Sequence, residues 1–520
     1  MSDRASRVGE RILRESATGS VGATVALVAG LTLDLTMALI LGAGSETDAL
    51  FVALRIPLGM AVFFPSTAVQ VLVPAISSWL EQNDERRRNA IVSAVLSATL
   101  ILTATLALIC IVLAPVLVSV LAPGLDAATQ KLATDLARVG FLIIPPLAAS
   151  QVLLAYRHAH RSHGLTSAAQ GILAMTIVTA LITAGPRANV WVAAWGYVVG
   201  GGAQLIVAWF LARARGFRFV PGRINDKEVR TIGALSLRPL AASGVQLGTR
   251  LGEQIVASVL APGSITILHY ASRLIGAVGG TLFFRPVSIA FLGPMSRMNV
   301  IGDTFAMSSL LLKGLRVMFW VSLSLASLVA IAGVPFVNGV FALGDFTLDQ
   351  AALLGVTVAV YSASLPTAAL QRMLLGSAFA RRDTSTYLRN TIYGALANFL
   401  LLGIMALGWR PPLEVLMIPI AYSLAQLVNV FHAAWVVRRQ TALAFADLGV
   451  GLIRPAGIAA AAVLVMLPLR RWFDAALGSS AGSLVMVGVL TALAGVVILG
   501  AGLWATTLRG NHEGGADLLA

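Results

Sequence analysis

The sequence predicts an all-α integral membrane protein with about fourteen transmembrane helices, built as two parallel six-helix repeats and two additional C-terminal helices. Three observations predict this fold. The 520 residues are 58% hydrophobic and 12% charged, whereas soluble domains carry about 25% charged residues. Many apolar segments are long enough to span a bilayer, which takes about 20 residues. Two parts of the chain also repeat the same motifs at the same spacing.

The predicted spans share a run of mostly apolar residues of sufficient length. They lie near 20–42, 48–80, 89–121, 131–156, 164–184, 189–212, 229–260, 264–295, 304–341, 348–379, 385–407, 412–437, 449–469 and 481–507. No cleavage-site pattern follows the first apolar run, so we interpret it as a retained span and not as a signal peptide. The single cysteine, Cys110, excludes an intrachain disulfide and suggests no metal cluster.

The loop charges predict the orientation. With both termini in the cytoplasm, the inner segments hold most of the loop Lys and Arg, including those of the basic connector 213–230. The outer segments hold only Lys131, Arg187, Arg410, Arg470 and Arg471. This bias follows the positive-inside rule and predicts a multi-pass membrane protein with both termini in the cytoplasm. It also explains the net charge of +14 through topology, without a nucleic-acid partner.

The connector 213–230 is the longest polar interruption and predicts the domain boundary. We therefore expect an N-lobe at 1–212 and a C-lobe at 231–440. Residues 441–520 form a C-terminal helix pair and tail in this division.

The two lobes resemble each other in sequence. "LGAGSETDALFVALRIPLG" (41–59) matches "LAPGSITILHYASRLIGAV" (260–278), with the Gly-Ser pairs separated by 219 residues. Six predicted spans lie between the copies. Because an even number of spans preserves orientation, the repeat is parallel and its axis lies along the membrane normal.

Two arginines occupy matching places in this repeat. With one residue of slippage, Arg55 in "FVALRIP" pairs with Arg273 in "HYASRLI". An arginine near the bilayer centre costs about 2.5–3.5 kcal/mol on insertion scales, so such residues usually face a hydrated cavity. We expect both to line a central cavity and to bind an anionic group, because a guanidinium suits phosphate oxygens.

Other charged residues fall in the same predicted helices. The candidate substrate-binding residues are Arg273, Arg55, Asp48, Arg250, Glu253, Asp34 and Arg285. Arg250 and Glu253 are three residues apart, which equally suits a purely structural ion pair. Arg285 lies toward the cytoplasmic side, where it could instead snorkel or bind lipid headgroups.

Prolines and glycines in these helices are the candidate hinges. They are Pro57, Pro65, Pro286, Gly276 and Gly280. Proline disrupts helix hydrogen bonds and produces kinks that allow bending. The alternative is static packing, since Pro is common in membrane helices and the Gly276-xxx-Gly280 spacing suits close helix contact.

The scan for soluble-enzyme motifs finds no nucleotide loop, zinc-protease helix or nucleophile elbow. The sequence therefore predicts a protein that is not an enzyme and that needs no catalytic residue, metal or cofactor. His158, His160 and His163 lie in a predicted cytoplasmic loop and are interpreted as solvated. Transport would draw on an ion gradient (Na⁺ or H⁺), the membrane potential or the substrate gradient.

The chain resembles the MurJ/MviN family of bacterial lipid II flippases, within the multidrug/oligosaccharidyl-lipid/polysaccharide (MOP) exporter superfamily. The motifs that carry the resemblance are "LGAGSETDALFVALRIP", "HYASRL" and "VFALGDFTLDQAAL". The resemblance implies two six-helix lobes around a cavity, a C-terminal helix pair, and alternating access that serves peptidoglycan synthesis. It assigns Arg273 to the family's cavity arginine in "YADRL" and Asp48 to its "TDA" aspartate.

The chain departs from the family in the N-lobe. Positions where the family usually has arginine hold Leu27, Leu33, Met60 and Ala61. Of the first-span pattern only Asp34 remains, Pro65 replaces a glutamate, and Ser272 replaces the aspartate of "YADRL". This resemblance therefore implies a divergent member that lacks several N-lobe arginines.

We expect a flippase that moves a polyprenyl-(pyro)phosphate-linked saccharide, lipid II or a related cell-envelope glycan precursor, to the outer leaflet. Two alternatives remain open at this point. One is an ion-coupled exporter of organic cations or drugs from the same superfamily, and the other is a non-transporting membrane scaffold. Expected partners are the saccharide lipid, membrane lipids and cell-envelope synthesis proteins, with the chain acting as a monomer.

Overall fold

A computed structural model describes the backbone of residues 2–67, 71–81, 85–160, 163–381, 383–408, 414–440, 445–478 and 480–512. Within these ranges, some side chains lie outside the described part, among them those of Pro65, Arg285 and Pro286. The described residues are almost entirely helical and include no β-strand. The packing divides the chain into two units, residues 1–266 and 267–520.

The first unit contains ten helices and the first turn of an eleventh. They are α1 (Ser2–Leu41), α2 (Ser45–Thr67), α3 (Val73–Glu81), α4 (Glu85–Leu121), α5 (Ala127–Gly140), α6 (Ile144–Ala159), α7 (His163–Ala168), α8 (Ile172–Ala184), α9 (Val190–Arg213), α10 (Lys227–Ser258) and the start of α11 (Ser264–Ile275).

The second unit holds the remainder of α11 and nine further helices. They are α12 (Arg285–Ile301), α13 (Thr304–Leu328), α14 (Val334–Phe341), α15 (Leu348–Ser362), α16 (Ser364–Ala380), α17 (Thr384–Gly408), α18 (Met417–Gln440), α19 (Phe445–Leu477) and α20 (Ala481–His512). The π-helical stretches Gly276–Phe284 and Val329–Gly333 interrupt the α-helical path.

Where the structure describes the predicted spans, they lie mostly on helix. In the described chain, eleven helices are long and apolar enough to cross a membrane, so the all-α membrane class is confirmed and the count of fourteen stays a prediction. The segments 45–81, 227–258 and 264–301 are not among the eleven. Most of the candidate site residues lie in these three segments and interrupt their apolar sequence.

The first unit packs α2 against α5, α6 against α9, and α4 against α6. Its core is formed by fully buried side chains such as Leu54, Leu136, Leu153 and Tyr156. The helix α10 packs against α2 and α4 within this same unit. The packing boundary therefore follows α10, whereas the lobe boundary expected from the connector precedes it.

The connector is docked on the first unit by backbone contacts. The Asn89 side chain donates to the carbonyl of Gly216 at 3.2 Å, and the amide of Val220 donates to Ser93 Oγ at 3.1 Å. Phe217 is buried between Tyr156 and Trp209, with ring centroids 5.4 and 5.7 Å away. The polar connector thus has a defined path across the ends of α4 and α6.

Gly222 tests this docking, because a Cβ added there would overlap the carbonyl of Ala90 on α4. We expect Gly222→Ala to cost about 1–3 kcal/mol of local packing and to raise the open fraction of the connector about tenfold or more. Trypsin cleavage after Arg215 and Arg218 should accelerate accordingly. Gly233→Ala is the matched control, since a Cβ there meets no atom within 4 Å. Equal cleavage rates in both variants would contradict the docking.

The C-terminal helices pack as part of the second unit. The two helices α19 and α20 contact each other, and they also contact α13 and α14. The approach of α20 to α14 is close, because a Cβ at Gly488 would lie 2.6 Å from the Cβ of Phe336. Within the predicted C-terminal segment, the described residues thus form two helices that pack together, and the domain bounds 441–520 stay a prediction.

Candidate substrate site and its supporting contacts

The sequence repeat coincides with two helix starts. The helix α2 begins at Ser45 and α11 begins at Ser264, which preserves the shift of 219 residues. Arg55 lies ten residues into α2 and Arg273 nine residues into α11. At about 1.5 Å per residue, each arginine is about 14–15 Å along its helix, a length equal to about half of a hydrocarbon layer of about 30 Å.

Arg55 contacts α10 within the first unit. Its Nη2 donates to the backbone carbonyl of Arg250 at 3.3 Å, and the two helices pack closely one turn further along, where a Cβ on Gly59 would overlap Leu247. A guanidinium has five N–H donors, and this hydrogen bond uses one of them. The structure thereby brings together two of the predicted site residues, Arg55 and Arg250.

Asp48 is buried, with 2% of its surface exposed. Its carboxylate accepts hydrogen bonds from the amide of Gly263 at 2.6 Å, from the amide of Thr266 at 2.8 Å and from Thr266 Oγ1 at 2.6 Å. Gly263 has φ +90°, a conformation that favours glycine. In this conformation Asp48 therefore holds the first turn of α11 against the start of α2, and its contact with a substrate stays a prediction.

The corresponding threonines of the two repeat copies have different partners. Thr47 Oγ1 accepts from the amide of Gly44 at 2.8 Å and donates to its carbonyl at 3.0 Å, within its own helix start. Thr266, its counterpart by the shift of 219 residues, bonds Asp48 instead. The two copies thus meet at their helix starts through one carboxylate, which a sequence comparison alone does not reveal.

The remaining predicted site residues are dispersed. Asp34 is 6% exposed on α1, and Glu253 is half-buried on α10. The ion pair expected between Arg250 and Glu253 stays a prediction. Arg273 is exposed on α11. Arg285 falls outside the described side chains, so its assignment stays a prediction.

The candidate hinges divide into two kinds. Gly276 and Gly280 lie in the π-helical stretch Gly276–Phe284, where hydrogen bonds close i→i+5 and α-helical spacing no longer determines a face. The α-helical spacing that would place Gly276 and Gly280 on one face therefore does not apply in this stretch. The helix α2 continues as α-helix through Pro57 and Pro65, and Pro286 stands at the second position of α12, where proline is tolerated. A hinge role for any of them stays a prediction.

A cationic cluster at the connector end of the first unit was not foreseen. Arg88 and Arg157 are only 5% and 6% exposed. Arg88 Nη2 donates to the hydroxyl of Tyr156 at 3.4 Å, and Arg157 Nη1 donates to the carbonyl of Leu211 at 2.8 Å. We call Arg88, Arg157 and Arg215 the connector cluster. The sequence indicated only topology-setting charges at these positions, because burial depends on how the connector docks.

His160 lies beside the connector cluster. Its Nδ1 is 2.8 Å from the carbonyl of Tyr156, which can only accept, so Nδ1 carries the proton. Burial lowers the pKa of His160 below its usual value, and the positive charges of the connector cluster lower it further. His160 is therefore a partly buried, neutral side chain at neutral pH, and not a solvated loop residue as the sequence suggested.

This lowered pKa predicts a pH dependence of stability. The unfolded chain binds a proton at His160 at a higher pH than the folded chain does, so stability falls as the pH drops below about 6.5. We expect the thermal unfolding midpoint of the wild type in detergent to fall between pH 7.5 and pH 5.5. In His160→Gln, which cannot titrate there, the fall should be smaller. Identical pH profiles for the two proteins would contradict the proton linkage.

A buried amide network in the second unit also escaped sequence reasoning. Gln371 Nε2 donates to Asn390 Oδ1 at 2.6 Å, and Asn390 Nδ2 donates to the carbonyl of Asn429 at 2.7 Å. Asn429 Nδ2 in turn donates to Gln426 Oε1 at 2.6 Å. These uncharged groups join α16, α17 and α18 inside the apolar layer. Amides spaced singly on each helix are too weak a signal to be grouped from sequence.

The long apolar helices and the two helical units are those of a polytopic membrane protein. The family model described as "Lipid II flippase MurJ" matches residues 37–500. The chain therefore belongs to the lipid II flippase MurJ family.

Two relatives of known family agree with this assignment. "Lipid II flippase MurJ" of Burkholderia cenocepacia is 26% identical over 388 residues, 69% of this chain and 71% of that protein. "Probable lipid II flippase MurJ" of Vibrio cholerae is 24% identical over 419 residues, 77% of this chain and 78% of that protein.

Solved structures show the same fold. The structure "Lipid II flippase MurJ, inward closed conformation" has a TM-score of 0.78 and 17% identity, covering 95% of this chain and 99% of that chain. An inward-facing multidrug resistance MATE family transporter of the MOP superfamily has a TM-score of 0.62 and 15% identity, covering 81% of this chain and 94% of that chain. The all-helical membrane fold expected from the family resemblance is thus confirmed.

Proposed function

We propose that this chain moves a polyprenyl-(pyro)phosphate-linked saccharide, with lipid II as the first candidate, from the inner to the outer leaflet of the bacterial cytoplasmic membrane. Movement would occur by alternating access, with both termini in the cytoplasm. Family membership supports the flippase class. The substrate is proposed from the chemistry of the intramembrane arginines.

The observation that carries this proposal is the matched depth of Arg55 and Arg273. Both lie about 14–15 Å along helices that begin at corresponding residues of the repeat. Two guanidiniums near mid-bilayer favour an anionic ligand, and their planar donor fork suits phosphate or pyrophosphate oxygens. An organic cation would be repelled by the same charges, so the arginines count against a drug exporter.

The other residues take supporting roles in this proposal. Arg250, whose backbone carbonyl accepts from Arg55, would add a further positive charge on α10. Asp34 and Glu253 moderate that charge, and Arg285 extends it toward the cytoplasmic side. The hinges at Gly276 and Gly280 would bend through the π-helical stretch, because π turns are common at functional sites in helices.

The energy source and the partner proteins are further parts of this proposal. No nucleotide motif was found in the sequence, so a Na⁺ or H⁺ gradient or the membrane potential would drive the cycle. We expect a monomer that receives its substrate from cell-envelope synthesis proteins. Arg273 and a lipid-linked saccharide are therefore the residue and the ligand that a transport assay should test.

Ligand binding to the purified protein in detergent tests the substrate class. We expect lipid II and undecaprenyl pyrophosphate to raise the thermal unfolding midpoint in a saturable manner. A neutral polyprenol and an organic dye cation should leave the midpoint unchanged. Stabilisation by the dye and not by the pyrophosphate would instead support the drug-exporter alternative. Stabilisation by none of the four would support the scaffold alternative.

A further inference from the structure

We propose that the connector cluster of Arg88, Arg157 and Arg215 is a binding site for a phosphate group at the connector end of the first unit. The site is separate from the proposed transport residues, because it is built from α4, α6 and the connector and includes no residue of α2 or α11. Its ligand would be a phosphate group, which could belong to a phospholipid headgroup or to phosphate from solution.

The first argument is charge balance. Arginine is almost never fully buried unless it is paired with an opposite charge, yet Arg88 and Arg157 are each more than nine-tenths buried. Among the described residues, the carboxylate within 4 Å of either guanidinium is Glu85, 3.8 Å from Arg88 Nη2 and itself 79% exposed. One solvated carboxylate does not neutralise two buried cations and the adjacent Arg215, so the cluster keeps a net positive charge.

The second argument comes from hydrogen bonds that are not made. The Nε atoms of both Arg88 and Arg157 are buried and have no hydrogen-bond partner. Buried polar atoms are satisfied in the large majority of cases. Because guanidinium groups can only donate, the missing partner must be an acceptor. An acceptor that also carries negative charge would satisfy both the charge and the donors.

The groups of this chain that bond Arg88 and Arg157 accept hydrogen bonds but carry no negative charge. Arg157 bonds the neutral carbonyl of Leu211, and Arg88 bonds the hydroxyl of Tyr156. The Tyr156 hydroxyl lies 3.5 Å from the carbonyl of Arg215, so the connector backbone closes over this tyrosine. The Arg215 side chain is exposed, and we take it as the mouth of the proposed site, where an anion would arrive.

The surroundings of the mouth suit the surface of a membrane. Arg213 and Arg218 are exposed on either side of Arg215, and the large apolar side chains of Phe210 and Phe219 are 65% and 49% exposed. Basic residues interleaved with exposed aromatic side chains are typical of segments at an anionic bilayer interface. A phosphodiester headgroup at this level would reach the cluster with its tail still in the bilayer.

The test measures the thermal unfolding midpoint of the full-length protein in neutral detergent. One series adds inorganic phosphate at constant ionic strength, and another adds short-chain phosphatidylglycerol, with phosphatidylcholine as the zwitterionic reference. We expect a saturable increase in the wild type. Arg215→Gln should weaken the apparent affinity about tenfold or more, the size expected for losing a charge-assisted hydrogen bond. Because Arg215 is exposed, the variant should fold.

The matched controls are Arg213→Gln and Arg223→Gln, which remove the same charge from exposed positions of the same connector. Each should change the affinity less than twofold. A response to phosphatidylglycerol alone assigns a lipid headgroup, and a response to both additives assigns phosphate in general. Either result supports the site. An absent response in the wild type, or an equal loss in all three variants, would overturn it. Since the readout is binding at the connector, failure here leaves the proposed transport function untouched.

Discussion

Replacing Asp48 with alanine should lower the free energy of unfolding by about 3 kcal/mol. The substitution leaves the amides of Gly263 and Thr266 and the Thr266 hydroxyl without their acceptor, and each buried unsatisfied donor costs about 1–3 kcal/mol. The hydroxyl can turn toward another acceptor, which keeps the total near the lower end of the sum. Chemical denaturation in detergent micelles measures the loss.

Asp126 provides the matched control. Its carboxylate also accepts three hydrogen bonds, from the amides of Ala128 and Thr129 and from Thr129 Oγ1, but at an exposed N-cap. Water can replace those bonds, so Asp126→Ala should cost about 1 kcal/mol. If the two substitutions lower the free energy of unfolding by the same amount, burial does not strengthen the hydrogen bonds of Asp48. The stabilising role assigned to Asp48 at this junction would then be wrong.

The second large effect is expected at Arg273. Arg273→Ala should reduce the affinity for a pyrophosphate-linked polyprenol by one to two orders of magnitude, because hydrogen bonds to charged groups contribute about 1.5–3 kcal/mol. Arg273→Lys keeps the charge but loses the planar fork, so it should retain part of the binding. Titration of the ligand against the unfolding midpoint measures both changes.

Arg138→Ala is the control for Arg273. Arg138 is an exposed arginine that pairs with Asp135 at 2.9 Å on α5, outside the helices that carry the proposed site. It should leave ligand affinity unchanged and cost at most about 1 kcal/mol of stability. Equal affinity in the wild type and in Arg273→Ala would remove Arg273 from the substrate site.

Much of the fold could be predicted from the sequence because membrane helices are encoded locally. A span is a run of apolar residues, and the loop arginines indicate topology without knowledge of tertiary contacts. The repeat was visible because its copies keep both motif and spacing, and the helix starts at Ser45 and Ser264 confirm it. The choice of Arg55 and Arg273 as candidate residues rested on that same local information.

Features that depend on long-range contact could not be predicted. Asp48 finds its partners more than 200 residues away, and nothing near it in sequence indicates them. The burial of Arg88 and Arg157 depends on the path of the connector. The π-helical stretch after Ile275 has no clear sequence signature, so α-helical spacing was extended too far there.

Translocation by the purified protein in vesicles tests the central claim most directly. Lipid II would be placed in vesicles containing the wild type, Arg273→Ala or no protein, and the headgroup that becomes accessible on the opposite leaflet would be measured over time. The account predicts fast transfer by the wild type and transfer near the protein-free rate by Arg273→Ala. Wild-type transfer that is no faster than in protein-free vesicles, or equal transfer by Arg273→Ala, would contradict it.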